Sequence, residues 1–329
     1  MPARYRNIFF LIGMAAVVVM LLTFDMPWTD VLQHVKQAGM WFPAVLLLWV
    51  PIYMMNGCAW SLILNDGQQP HVGYWRMLRY TISGYALNSV TPVGLLGGEP
   101  YRIMELTPLV GKAKAASSVI LYAMMHIFSH FCFWIFSIGV FLVRYGHALS
   151  TPLAVMLGLA SVFCMLGVFF FLKGYRNGLA MRLLRFFGRW PLLGRTVRRF
   201  ADKHAADIQL IDSQIAALHT QRPVAFYASL LLEFLARMLG CLEIQFILFI
   251  LTSDVSYWDC LLMQAFISLF ANLLFFMPMQ MGTREGGLAM ATGGLHMNGA
   301  YGVLTGLITR LRELFWVAIG ILLIRSRSR

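Results

Sequence analysis

The stretch Leu87–Leu106, LNSVTPVGLLGGEPYRIMEL, limits what this chain can fold into more than any other. It lies between apolar runs of membrane-spanning length, yet it cannot itself be a span. One proline and three glycines fall between Thr91 and Glu99, and a second proline and an arginine follow. Backbone this irregular is tolerated at membrane depth only where protein buries it or it borders a wet cavity. A second stretch, Leu273–Ala289, LLFFMPMQMGTREGGLA, has the same character. In each, a proline precedes a glutamate by seven positions, Pro92 before Glu99 and Pro278 before Glu285, and an arginine stands close by, Arg102 or Arg284. The rest of the chain reads as a scaffold for these two broken elements.

That scaffold is a membrane bundle. Of the 329 residues, 59% are hydrophobic and 12% charged, whereas a soluble domain carries about 25% charged residues. Apolar runs place spans at 8–24, 40–64, 115–143, 152–172, 223–251 and 300–324. The first is read as an uncleaved span, because the bulky Phe24-Asp25-Met26-Pro27-Trp28 that follows offers no small-residue cleavage site. Basic residues orient the spans. Arg4 and Arg6 precede the first, a basic tail ending at Arg329 follows the last, and 173–222 holds ten Lys or Arg against three Asp. The positive-inside rule puts all three, and so both termini, on the cytoplasmic side of the inner membrane. Segments 72–114 and 257–297 must then each cross an even number of times. Within the first, Tyr74–Val90 is helical in pattern, while Glu99–Gly111 is too short and polar to cross.

The expected fold is therefore an all-α polytopic membrane protein with a single transmembrane domain over 1–329. It has about six full spans plus two re-entrant broken-helix hairpins. The first hairpin opens from the cytoplasm and the second from outside. The halves 40–144 and 223–325 run in opposite directions and share the Pro-x6-Glu spacing, the pattern of an inverted repeat.

The net charge of +12 is explained by topology rather than by nucleic acid. In 173–222, leucines and phenylalanines alternate with arginines, as in a helix lying at the bilayer surface. It reads as a connector held by headgroups, or as a segment that binds a regulatory partner. The five cysteines lie in or beside apolar runs without a CxxC pair, and read as buried small hydrophobes.

Charges inside the spans are the candidate chemistry. The fifth span carries Glu233, Arg237 and Glu243, and the sixth Arg310, Arg312 and Glu313. A charge at the bilayer centre costs about 2.5 to 3.5 kcal/mol on insertion scales, so such residues face the bundle interior or water. Two readings stand. Ion pairs lock the helices together, or Arg102, Arg237, Arg284, Arg310 and Arg312 form a headgroup path. In the second reading Glu99, Glu233, Glu285 and Glu313 serve as counter-charges or proton carriers, since arginine presents a fork that suits phosphate. Pro92, Gly94, Gly97, Gly98, Pro278 and Gly282 shape the re-entrant backbone. The glycines at 94, 97 and 98 make either a tight turn or an amide cradle for phosphate at a helix start. His126 and His130 share a helix face one turn after Tyr122. Without a third ligand in the pattern, they read as interhelical hydrogen-bonding groups rather than a metal site. No cofactor is expected.

TPVGLLGGEPYRIMEL and MPMQMGTREGGLAM resemble motifs of the lysylphosphatidylglycerol synthase transmembrane-region, or flippase-like, family. Gly97, Gly98 and Arg102 match the early motif, and Pro278, Gly282 and Glu285 the late one. MPMQMG departs from the family pattern in lacking a second proline and a double glycine. The resemblance implies lipid movement across the bilayer, as in the flippase half of bifunctional aminoacyl-lipid proteins. The aminoacyltransferase domain of those proteins is expected to be missing here. The family is also associated with hopanoid and polyprenyl-phosphate lipids, so the implied partners are membrane lipids of one of these kinds, with further copies of the chain left open.

Three functions compete at this stage. The first is a lipid translocase for an anionic or phosphate-bearing headgroup, running downhill or ion-coupled because no nucleotide loop is present. The second is a non-transporting assembly or regulatory subunit that works through the basic segment. The third is a lipid-modifying enzyme using His126, His130 and Glu99 as acid–base groups.

Overall fold

The computed structural model describes residues 8–11, 14, 36–65, 70–91, 97–177, 222–250, 255–273 and 299–325, with scattered positions between 188 and 216. Among these the regular structure is helical, and no strand occurs. The main helices are α1 (Trp41–Leu64), α2 (Tyr74–Val90), α3 (Gly98–Val110), α4 (Lys112–Tyr145), α5 (Thr151–Asn177), α6 (Pro223–Leu248), α7 (Tyr257–Leu273) and α8 (Gly299–Arg325). Pro92, Gly94, Pro278, Gly282, Arg284 and Glu285 lie outside the described residues, as do most of the first span, the turn of the first hairpin and most of the basic segment.

Among the described residues, three helices, α1, α4 and α5 (through Lys173), are both long and apolar enough to cross a bilayer. Helices α6 and α8 are long, at 26 and 27 residues, but their central charges lower their apolar character. Helix α5 is the peripheral span. It packs on α4 and presents Val155, Met156, Leu159, Val162, Met165, Leu166 and Phe169 outward. Helix α4 runs for 34 residues, beginning at Lys112 rather than at the expected start of the apolar run. Gly111, at φ +83°, is the left-handed link that turns α3 into it.

The segment between the first two apolar helices forms a helical hairpin. Helix α2 turns back along α1, with Asn65 bonded to Val72 through both of its backbone groups at 3.0 Å and Tyr53 packed against Tyr85. Helix α3 then returns along α2, so that Gly98 meets Gly84 and Arg102 meets Tyr80 and Thr81. At a rise of 1.5 Å per residue, the 13 residues of α3 reach about 20 Å, short of the roughly 30 Å hydrocarbon core. The close approach explains the glycines. A Cβ on Gly98 would strike the Gly84 carbonyl oxygen, and one on Gly84 would strike the Arg102 guanidinium.

Around the hairpin, α6 lies antiparallel along α1, with Trp41 against Phe246 and Phe249 at one end and Arg222 bonded to the Leu62 carbonyl at the other. Helix α8 packs on α2, and α7 packs on α4. One buried core unites Trp60, Leu64, Tyr80, Tyr101, Leu106, Tyr122, Met125 and Phe226, drawn from five helices.

Candidate functional site

Three polar clusters interrupt this apolar interior. The first belongs to the hairpin. Arg102 is 5% exposed, and its guanidinium donates to Glu99 Oε1 (3.2 Å) and to the carbonyls of Thr81 (3.2 Å) and Tyr80 (3.5 Å). The rings of Trp60 and Tyr122 each lie 5.4 Å from its charge centre. Asn88 clasps the start of α3, accepting from the Gly98 amide at 2.7 Å and donating to Glu99 at 3.1 Å. The Gly98 N–H is thus already donated, which favours the tight-turn reading at that position over an open phosphate cradle. The repulsion that Glu99 would offer an anion is offset by its pairing with Arg102.

The second cluster joins four helices. Arg312 on α8 is 1% exposed and grips Glu243 on α6 through two bonds, at 2.8 and 3.1 Å. It also donates to the Tyr85 hydroxyl at 3.2 Å, and its charge centre sits 3.9 Å over the Trp49 ring. The Trp49 indole N–H donates to the same carboxylate at 3.1 Å. Tyr53 and Trp316 complete an aromatic wall. The bidentate, stacked arrangement is one that arginine makes and lysine does not.

The third cluster joins α4 and α6. Glu233 is 1% exposed and lies 2.8 Å from His126 Nδ1. Arg237, one turn further along α6, donates to Ser129 Oγ and to the His126 carbonyl, both at 2.7 Å. His130 stands edge-on to His126, with ring centroids 5.5 Å apart, and its other neighbour is Trp134. Tyr122 links this cluster to the first. Its ring stacks on Trp60 and faces Arg102, one turn before His126.

Helical geometry explains the partition. Glu233 and Arg237 share a face, whereas Glu243, ten residues on, is rotated by about 80° and points to α1 and α8 instead. Arg310 and Arg312 are about 200° apart, so Arg312 is buried and Arg310 only half-buried. Glu313 is likewise half-buried. Of the expected path residues, Arg102 and Glu99 meet each other. Glu233 and Arg237 meet α4, and Arg312 meets Glu243. The sequence marked Glu243 as a buried charge but not as the partner of Arg312. Asn88, Trp49, Tyr85 and Ser129 carried no signal that set them apart from the many polar and aromatic residues around them.

The family model described as "lysylphosphatidylglycerol synthase TM region" matches residues 9–320. The chain belongs to that family. No curated protein and no solved structure gives a significant match.

Proposed function

We propose that this membrane protein moves a lipid with an anionic or phosphate-bearing headgroup across the cytoplasmic membrane. The observation that carries the reading is the α2–α3 hairpin. Two short helices are driven into the bundle core by a glycine-to-glycine contact, and they hold a buried Arg102–Glu99 pair against α4. A scaffold has no need to bury an ionisable hairpin among spans. A headgroup path does, and irregular backbone at that depth belongs where protein or water surrounds it. The clusters at Arg102 and Arg237 describe the resting path. Carboxylates and carbonyls hold the guanidinium groups, and a phosphate oxygen replaces some of these acceptors as the lipid passes. Half-buried Arg310 on α8 adds a third arginine to the path, and Arg284 and Glu285 belong to the second broken element. The acyl tails stay in the bilayer throughout.

Among the described residues, the packing pattern supports an inverted repeat. Exchange α1 with α6, α2 with α7 and α4 with α8, and the contacts map onto one another. The pairs α1–α2 and α6–α7, α1–α4 and α6–α8, α2–α8 and α4–α7, and α1–α8 and α4–α6 are all present. The pair α1–α6 maps onto itself. This is the plan of transporters in which two halves of opposite orientation alternate around a central site.

The test is headgroup movement in vesicles containing purified variants. Arg102→Ala, Arg237→Ala and Arg310→Ala should each slow an anionic lipid by tenfold or more. Unchanged rates in all three would remove the path. Loss of cellular function on deleting 182–199, with the three arginine variants normal, would favour a subunit that acts through the basic segment.

A further inference from the structure

Buried Glu233 lies 2.8 Å from His126 Nδ1 through Oε2, and Tyr122 is the other side chain of α4 within hydrogen-bonding reach of its carboxylate. Arg237, the nearest fixed charge on its own helix, spends its hydrogen bonds on Ser129 and the His126 carbonyl instead. The pair is asymmetric. Glu233 is closed off, at 1% exposure, while the His126 side chain is 44% exposed. With Nδ1 turned to the carboxylate, Nε2 is the ring nitrogen left for proton exchange. We propose that His126 and Glu233 form a proton-binding site that couples lipid movement to a proton gradient.

The coupling rests on the translocation reading above and adds its driving ion. Nδ1–H stays on the Glu233 carboxylate while the Nε2 lone pair takes up or releases a proton. The pair therefore steps between net charge −1 and 0 without opening Glu233 to water. An imidazole can donate at one ring nitrogen while the other accepts a proton, which suits such a step. The titratable and charged groups around the pair are Tyr122 and His130 on α4 and Arg237 on α6, with Cys132 and Cys241 beside Arg237 and, across the Tyr122 ring, Arg102 of α3. The link to cargo is physical. His126 is one turn from Tyr122, whose ring lies against the hairpin arginine. A change of charge at the pair alters the field at the Arg102–Glu99 cluster, which the lipid must engage. The Arg237 bond to the His126 carbonyl ties the same turn of α4 to α6.

The experiment measures labelled anionic lipid in vesicles with and without an imposed pH gradient, beside an entrapped pH dye. In the wild type, a gradient of the favourable sign should raise the rate about tenfold, with proton movement of matching onset. Glu233→Gln should bring the ratio of gradient to no-gradient rates to about one. His126→Gln, at the more exposed position, should do the same and covers the case in which the Glu233 variant does not fold. Lipid movement in the wild type that ignores the gradient overturns the coupling and leaves translocation standing. Variants that keep the wild-type ratio overturn the assignment to this pair. If no lipid moves under any condition, both readings fall.

Discussion

At the scale of single residues, the interior holds charges of two kinds. Arg312 and Glu243 are matched on every side, bidentate, stacked and closed. Removing one partner leaves an isolated buried charge, which costs about 3 to 5 kcal/mol in proteins, whereas replacing both with apolar side chains of similar size is often neutral. Arg312→Ala or Glu243→Ala should therefore lower the thermal unfolding midpoint of the detergent-solubilised protein sharply. The double variant Glu243→Leu with Arg312→Met should recover most of the loss. Equal midpoints for the single variants and the wild type would deny this pair its structural role. Arg102 and Arg237 differ, because each leans on backbone carbonyls or a hydroxyl and has fewer carboxylate contacts. Their charge is less completely cancelled, which is why the proposed path runs through them. The sequence showed that these residues were buried charges. It did not show which were matched, because pairing depends on the rotation between turns and on helices hundreds of positions apart, as with Arg312 and Tyr85.

At the scale of elements, the hairpin was the most legible part of the chain. The Pro/Gly-rich break and the short polar stretch after it pointed to a short second helix, and α2 ends where its pattern ended, at Val90. The reason for the glycines was not legible, since close approach is a property of two helices and not of one. The contact makes its own prediction. Gly98→Ala should cost about 1 to 3 kcal/mol through overpacking against the Gly84 carbonyl. Gly158→Ala on α5, where an added Cβ meets nothing, should be neutral or stabilising by up to about 1 kcal/mol. Denaturation of the two variants side by side checks this. An equal response would mean that the α2–α3 contact is looser than its geometry states. Helix α4 begins ahead of the apolar run for a related reason. Lys112 and Lys114 are polar, so hydropathy left them outside the run, but Gly111 lets the helix begin as soon as α3 ends.

At the scale of the whole molecule, hydropathy and the distribution of basic residues yielded a helical membrane protein, and family membership agrees with that. The proposed internal symmetry rests in the sequence on shared spacing and direction with few shared residues, and in the structure on which helices touch. The topology it entails can be tested with single cysteines introduced into a cysteine-free background. A cysteine at His147, in the turn between α4 and α5, should react with an impermeant thiol reagent from outside intact cells. One at Lys114 should react only after the membrane is opened. The reverse pattern would invert the bundle, and labelling of both from one side would break the parity on which the repeat depends. Lipid movement is the central claim, and its most direct measurement uses the unmodified protein. Labelled anionic and zwitterionic lipids are followed across vesicles that contain the purified chain and across vesicles that lack it. The anionic headgroup should cross faster with the protein than without it, and faster than the zwitterionic one. Movement of neither lipid, or equal acceleration of both, would contradict this claim.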